Sequence, residues 1–68
     1  MATGTVKWFN SDKGYGFIQP DAGGADVFVH ITAVERAGVS TLPDGQKLSY
    51  ALETGRNGKE RAIDLQLL

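Results

Sequence analysis

The side chains of this sequence best equipped for chemistry are a group of rings with cations beside them. Trp8, Tyr15, Phe17, Phe28 and His30 fall within a short stretch, and Lys7 and Lys13 stand among them. Rings bind by stacking, and every nucleobase offers a π-face worth about 1–3 kcal/mol on an aromatic platform. Lysines nearby meet phosphates, and His30 at the end of the row can stack or donate a hydrogen bond. Acid–base and metal chemistry have less to work with. His30 is the only histidine and cysteine is absent, so His30 lacks the companions that a metal set or a nucleophile–base pair requires. Asp12, Asp21 and Asp44 sit among Gly14, Pro20, Pro43 and Gly45, where aspartate serves a turn. Gly14-Tyr15-Gly16 lacks the third glycine and following helix of a phosphate-binding loop. Its glycines let a strand bend or a ligand approach the backbone.

Strands must carry these rings. Residues 5–9, 16–19 and 26–30 are short runs of Val, Phe, Trp and Ile, separated by Asn10-Ser11-Asp12-Lys13-Gly14 and Pro20-Asp21-Ala22-Gly23-Gly24. Such spacing predicts an antiparallel meander. Thr32-Ala33-Val34-Glu35 fits a capping box for one helical turn, with the hydroxyl and the carboxylate each meeting a free amide. A longer loop with Gly38, Pro43 and Asp44-Gly45 leads to a fourth strand over 47–53, where Leu48, Tyr50 and Leu52 alternate with other residues. Gly55 and Asn57-Gly58 turn the chain into a fifth, over 63–67. The predicted fold class is all-β, a five-stranded antiparallel closed barrel, because closure removes sheet edges.

Alternation puts Val27 and Val29 on one face and Phe28 and His30 on the other. Ile18 takes the opposite parity to Tyr15 and Phe17. Val6, Ile18, Val27, Val29, Leu48, Tyr50, Leu52, Ile63, Leu65 and Leu67 then suffice as a core, each worth about 1.5–3 kcal/mol when buried. Trp8, Tyr15, Phe17 and Phe28 are left outside, forgoing a similar amount each. Something else must use that face.

At 68 residues the chain has room for one small domain, burying about 60% of the surface exposed when unfolded. Without cysteine, disulfide and zinc scaffolds are excluded. The net charge of −1 and pI near 5.6 predict no strong nonspecific pull on polyanions, so binding must rest on stacking and on locally placed cations. No repeat, linker or apolar span interrupts the chain, and Met1-Ala2-Thr3-Gly4 does not open an export signal. A cytoplasmic protein is expected.

Lys13-Gly14-Tyr15-Gly16-Phe17-Ile18 resembles the first RNA-binding motif of the bacterial cold-shock proteins, and Val27-Phe28-Val29-His30 resembles their second. Gly4-Thr5-Val6-Lys7-Trp8-Phe9-Asn10 is similar to the family's first strand, and Asp44-Gly45-Gln46-Lys47-Leu48-Ser49-Tyr50 to its fourth. The resemblance covers nearly the whole chain and implies a single cold-shock domain over residues 1–68 with the OB-fold. It implies that Lys7, Trp8, Lys13, Phe17, Phe28 and His30 contact single-stranded RNA or DNA, that Tyr15 and Phe9 assist, and that Asp26 accepts from base edges. It also implies an RNA chaperone of cold or stress adaptation, acting in transcription and translation. No catalysis, cofactor, metal or membrane enters this reading, and a monomer is expected. Three features depart from the family pattern. Ile31 and Val39 stand where aromatic rings are common, so two stacking platforms are missing and weaker binding or a shorter footprint is expected. Arg56-Asn57-Gly58-Lys59-Glu60-Arg61 replaces a Gly-Pro run, leaving Arg56 and Lys59 as further phosphate contacts if their loop leans over the rings. A rival use of the same face is recognition of a protein partner.

Overall fold

The computed structural model describes residues 2–55 and 58–68. Its elements are β1 (Ala2–Asn10), β2 (Tyr15–Pro20), β3 (Val27–His30), α1 (Ile31–Arg36), β4 (Lys47–Thr54) and β5 (Glu60–Leu67). The strands close into a barrel in the order β1-β2-β3-β5-β4. Four of the five contacts are antiparallel, whereas β3 pairs with β5 in parallel. The expected all-β, five-stranded closed barrel is what the strands form, and its one parallel contact has a topological reason. An odd number of strands cannot alternate in direction around a closed ring, so at least one neighbouring pair must run the same way.

Val6, Ile18, Val27, Val29, Leu48, Tyr50 and Leu65 fill the interior as their alternation predicts. The rest of the core differs from expectation. Ala33 and Val34 of α1, Leu42 of the following loop and Ala62 are buried, while Leu52 and Leu67 are exposed and Ile63 is half-buried. A bulge explains the change along β5. Ser49 pairs with Gln66 but Ala51 pairs with Ile63, so Tyr50 alone faces Asp64 and Leu65. Asp64 absorbs the extra residue at φ 53°, a left-handed conformation that aspartate tolerates better than most side chains. Inward parity passes from Ala62 to Leu65 across it. Leu52, opposite the small Ala62, has little to cover it. Val34 and Leu42 belong to no strand pattern; α1, which packs against β3 and β5, and its following loop bring them into the same buried cluster.

The helical turn starts earlier than the capping box predicts. His30, extended at φ −97° and ψ 153°, is the N-cap, and its Nδ1 accepts from the Thr32 backbone N–H at 3.2 Å. The Thr32 hydroxyl lies 3.0 Å from the same nitrogen. Thr32 is thus inside the turn, since the strand ends at His30 and its imidazole reaches the free amide first.

Candidate nucleic-acid interface

Strict alternation from Val6 would carry Trp8 into the barrel. A bulge prevents this: Val6 pairs with Ile18 but Trp8 pairs with Phe17, leaving Lys7 as the extra residue. The parity of β1 reverses there. Lys7 and Trp8 both face solvent, and Phe9 turns inward to pack against the core. Opposite Phe9 lies Gly16. A Cβ on Gly16 would stand 2.4 Å from the Trp8 carbonyl oxygen and 2.7 Å from the Phe9 Cα, so only glycine lets β2 approach the bulged strand this closely.

Registers then line up the rings. Trp8 faces Phe17 and Phe17 faces Phe28 across three strands, with Tyr15 facing His30 one step along. Ring centroids are 5.3 Å apart for Trp8–Phe17 and 6.0 Å for Phe17–Phe28. Tyr15 fills the angle between them, 5.6 Å from Trp8 and stacked on Phe28 at 5.8 Å. His30 ends the array 6.3 Å from Phe28. Most pairs are edge-to-face, the arrangement favoured by ring quadrupoles. The rings therefore brace one another while their outer faces stay open; Trp8 is 39% exposed. Because Nδ1 of His30 accepts from Thr32, the neutral imidazole carries its proton on Nε2, where it can donate outward.

The polar residues surround this strip. Lys7 Nζ contacts Asp26 Oδ2 at 2.9 Å, so a phosphate approaching Lys7 competes with an exposed carboxylate, a pairing worth about 0–1 kcal/mol. Lys13 is held by its backbone: Asn10 Oδ1 accepts from the N–H groups of Asp12 and Lys13 at 3.0 Å, which leaves the Lys13 side chain exposed beside Tyr15. Ile31 and Val39 come together in an open depression completed by Glu35, Gly38, Ser40 and Thr41. Ile31 also hydrogen-bonds through its N–H to the Gly14 carbonyl at 2.9 Å, tying this depression to the end of the ring array. Lys59 stands just before β5, its carbonyl accepting from the Gly55 N–H at 2.7 Å, and Arg56 lies outside the described residues.

Sequence reasoning passed over Arg61. It reads as one charge in a mixed loop, yet β5 places it opposite Phe28. The pairing of β3 with β5 is parallel and non-local, and no period in the chain reports it. Among the described residues no His, Cys, Asp or Glu cluster suited to a metal is found, and no helix is long and apolar enough to cross a membrane.

A five-stranded closed barrel of this kind is an OB-type fold. Within that class the chain belongs to the cold-shock domain family: the 'Cold-shock' DNA-binding domain matches residues 2–68. It is 69% identical over 67 residues to a probable cold shock protein of Sinorhizobium fredii, covering 97% of both chains. It is 57% identical to cold shock protein CspA of Rhizobium meliloti, again over 97% of each. Cold shock-like protein CspG of Escherichia coli shares 52% over 60 residues, 88% of this chain and 86% of that one. The family is one of nucleic-acid-binding domains.

Proposed function

We propose that this protein binds single-stranded RNA or DNA by stacking unpaired bases on Trp8, Phe17, Phe28 and His30, with Tyr15 bracing the platform. The observation that carries this reading is the continuous outer ring array on a barrel whose aliphatic interior is filled without it. Lys7 and Lys13 meet the backbone, Asp26 accepts from a base edge when Lys7 turns to phosphate, and Ile31 and Val39 offer apolar contact. Phe9 acts from beneath by holding the bulge.

Holding bases against the strip shifts structured RNA toward open states by mass action, without an energy source. This is the chemistry of an RNA chaperone, suited to cold or stress adaptation and to control of transcription and translation in the cytoplasm. Stacking tolerates sequence, so discrimination among bases is weak.

Trp8 is the sole tryptophan, and its fluorescence reports the strip directly. Titration with a pyrimidine-rich single strand is expected to quench it saturably, the effect weakening with salt and absent with duplex. Absence of quenching at low salt, with the protein folded, refutes base stacking and turns the ring face over to protein recognition.

A further inference from the structure

We propose that the stacking track does not end at Phe28 but continues onto the guanidinium of Arg61, which acts as a further platform for an unpaired base. The inference rests on the base-stacking reading above and extends it to β5.

The register carries the case. Trp8, Phe17 and Phe28 form one transverse row, each opposite the next, and the following member of that row is Arg61, opposite Phe28. Val29 and Ala62, the adjacent pair, are both buried, so Phe28 and Arg61 share the outer side. Neighbouring strands lie about 4.8 Å apart, which sets the step from one member of the row to the next. The row ends at Glu53, opposite Arg61 on β4.

Glu53 fixes the guanidinium. Both Nε and Nη2 of Arg61 donate to Glu53 Oε1, the Nε contact being 3.0 Å. These donors lie on one edge of the planar group, so the ion pair uses that edge and requires neither π-face, and the Arg61 side chain is half exposed. A guanidinium held this way stacks with a base as an aromatic ring does. The cleft beside it is lined by His30, Thr32, Arg36, Arg61 and Ile63, together with Glu53 and Asp64, which joins Arg61 to the end of the ring array. Arg36 is exposed and forms no ion pair among the described residues, so it is available to the phosphate of a strand that turns into the cleft. The carboxylates of Glu53 and Asp64 offset much of the local positive charge. Planarity rather than net charge is therefore what Arg61 contributes, and the track runs toward β5 in addition to the depression holding Ile31 and Val39.

Two substitutions separate plane from charge. Arg61→Lys keeps the charge and loses the plane; Arg61→Tyr keeps a stacking surface and loses the charge. Both are exposed changes, and thermal midpoints would be recorded alongside binding. With a thymidine oligonucleotide of about eight nucleotides, within the usual span of an OB-fold site, Trp8 quenching is expected to report about fivefold weaker binding for Arg61→Lys and affinity within about twofold of the parent for Arg61→Tyr. The proposal is overturned if Arg61→Lys retains the parent affinity, or if Arg61→Tyr binds no more tightly than Arg61→Lys. Trp8 quenching of the parent protein stands apart from either result: its presence keeps the stacking reading even where Arg61 proves irrelevant, and its absence removes both.

Discussion

Under the proposed function, Ile31 and Val39 are the single residues that set the reach of the stacking surface. Both are half-buried and line one depression at the end of the ring array, so a ring at either position would have a place to lie. With a base on an aromatic platform worth about 1–3 kcal/mol, and part of that already supplied by the aliphatic side chain, Ile31→Phe is expected to tighten single-strand binding by about fivefold. Titration of Trp8 fluorescence reads this directly, and unchanged affinity would place Ile31 outside the track. Lys7 makes a different point. Its contact with Asp26 is exposed and weak, so freeing the ammonium from that carboxylate costs little.

At the scale of elements, the bulge in β1 is the feature on which the surface depends. It turns Trp8 outward and Phe9 inward, and it requires β2 to pass close beneath, at Gly16. The Cβ added by Gly16→Ala meets backbone at the Trp8 carbonyl and the Phe9 Cα, atoms that cannot move aside as a flexible side chain would. Overpacking of this kind costs about 1–3 kcal/mol. Chemical denaturation is expected to show that loss, and the variant's remaining folded fraction should bind more weakly because Trp8 is displaced. A stable variant with parental affinity would mean that the two strands can separate without disturbing the strip.

Over the whole molecule, the net charge of −1 means that the global field does not draw nucleic acid in. Only local cations contribute, and with two to four phosphates neutralised the slope of log affinity against log salt is expected at about −1.4 to −2.8 for a single strand. A slope near zero would remove Lys7 and Lys13 from the interface. The core makes its own pH-dependent prediction. Burial of Tyr50, with a smaller effect from the charge of Asp21, pushes its phenol above the ordinary value of 10.0. Folding thus favours the protonated phenol. Its contribution is complete below pH 10.0 and is lost as pH rises through the folded-state value. Thermal midpoints followed into alkali are expected to fall less steeply for Tyr50→Phe than for the parent, whatever the absolute cost of the substitution. Equal slopes would show that Tyr50 does not govern the alkaline limit.

Much of this protein was legible in the chain because the relevant signals are local. Alternation in 27–30 and the parity of Tyr15, Phe17 and Ile18 separate rings from aliphatics with no knowledge of the partner strands, and turn residues mark where each strand stops. The strand count, the closed barrel and the outward placement of Tyr15, Phe17 and Phe28 follow from those features. Other properties depend on pairings between distant segments. Parity fails at Lys7 and Asp64 because a bulge is a property of two strands and leaves little trace in the composition of one. Val34 and Leu42 become core only once α1 and its loop pack against the strands. Arg61 joins the row of rings only because the barrel closes with β5 against β3. The sequence by itself determined which rings of β2 and β3 face outward; tertiary structure alone decided their order around the barrel, because that order is set by strand register and closure, and neither is encoded within a single strand.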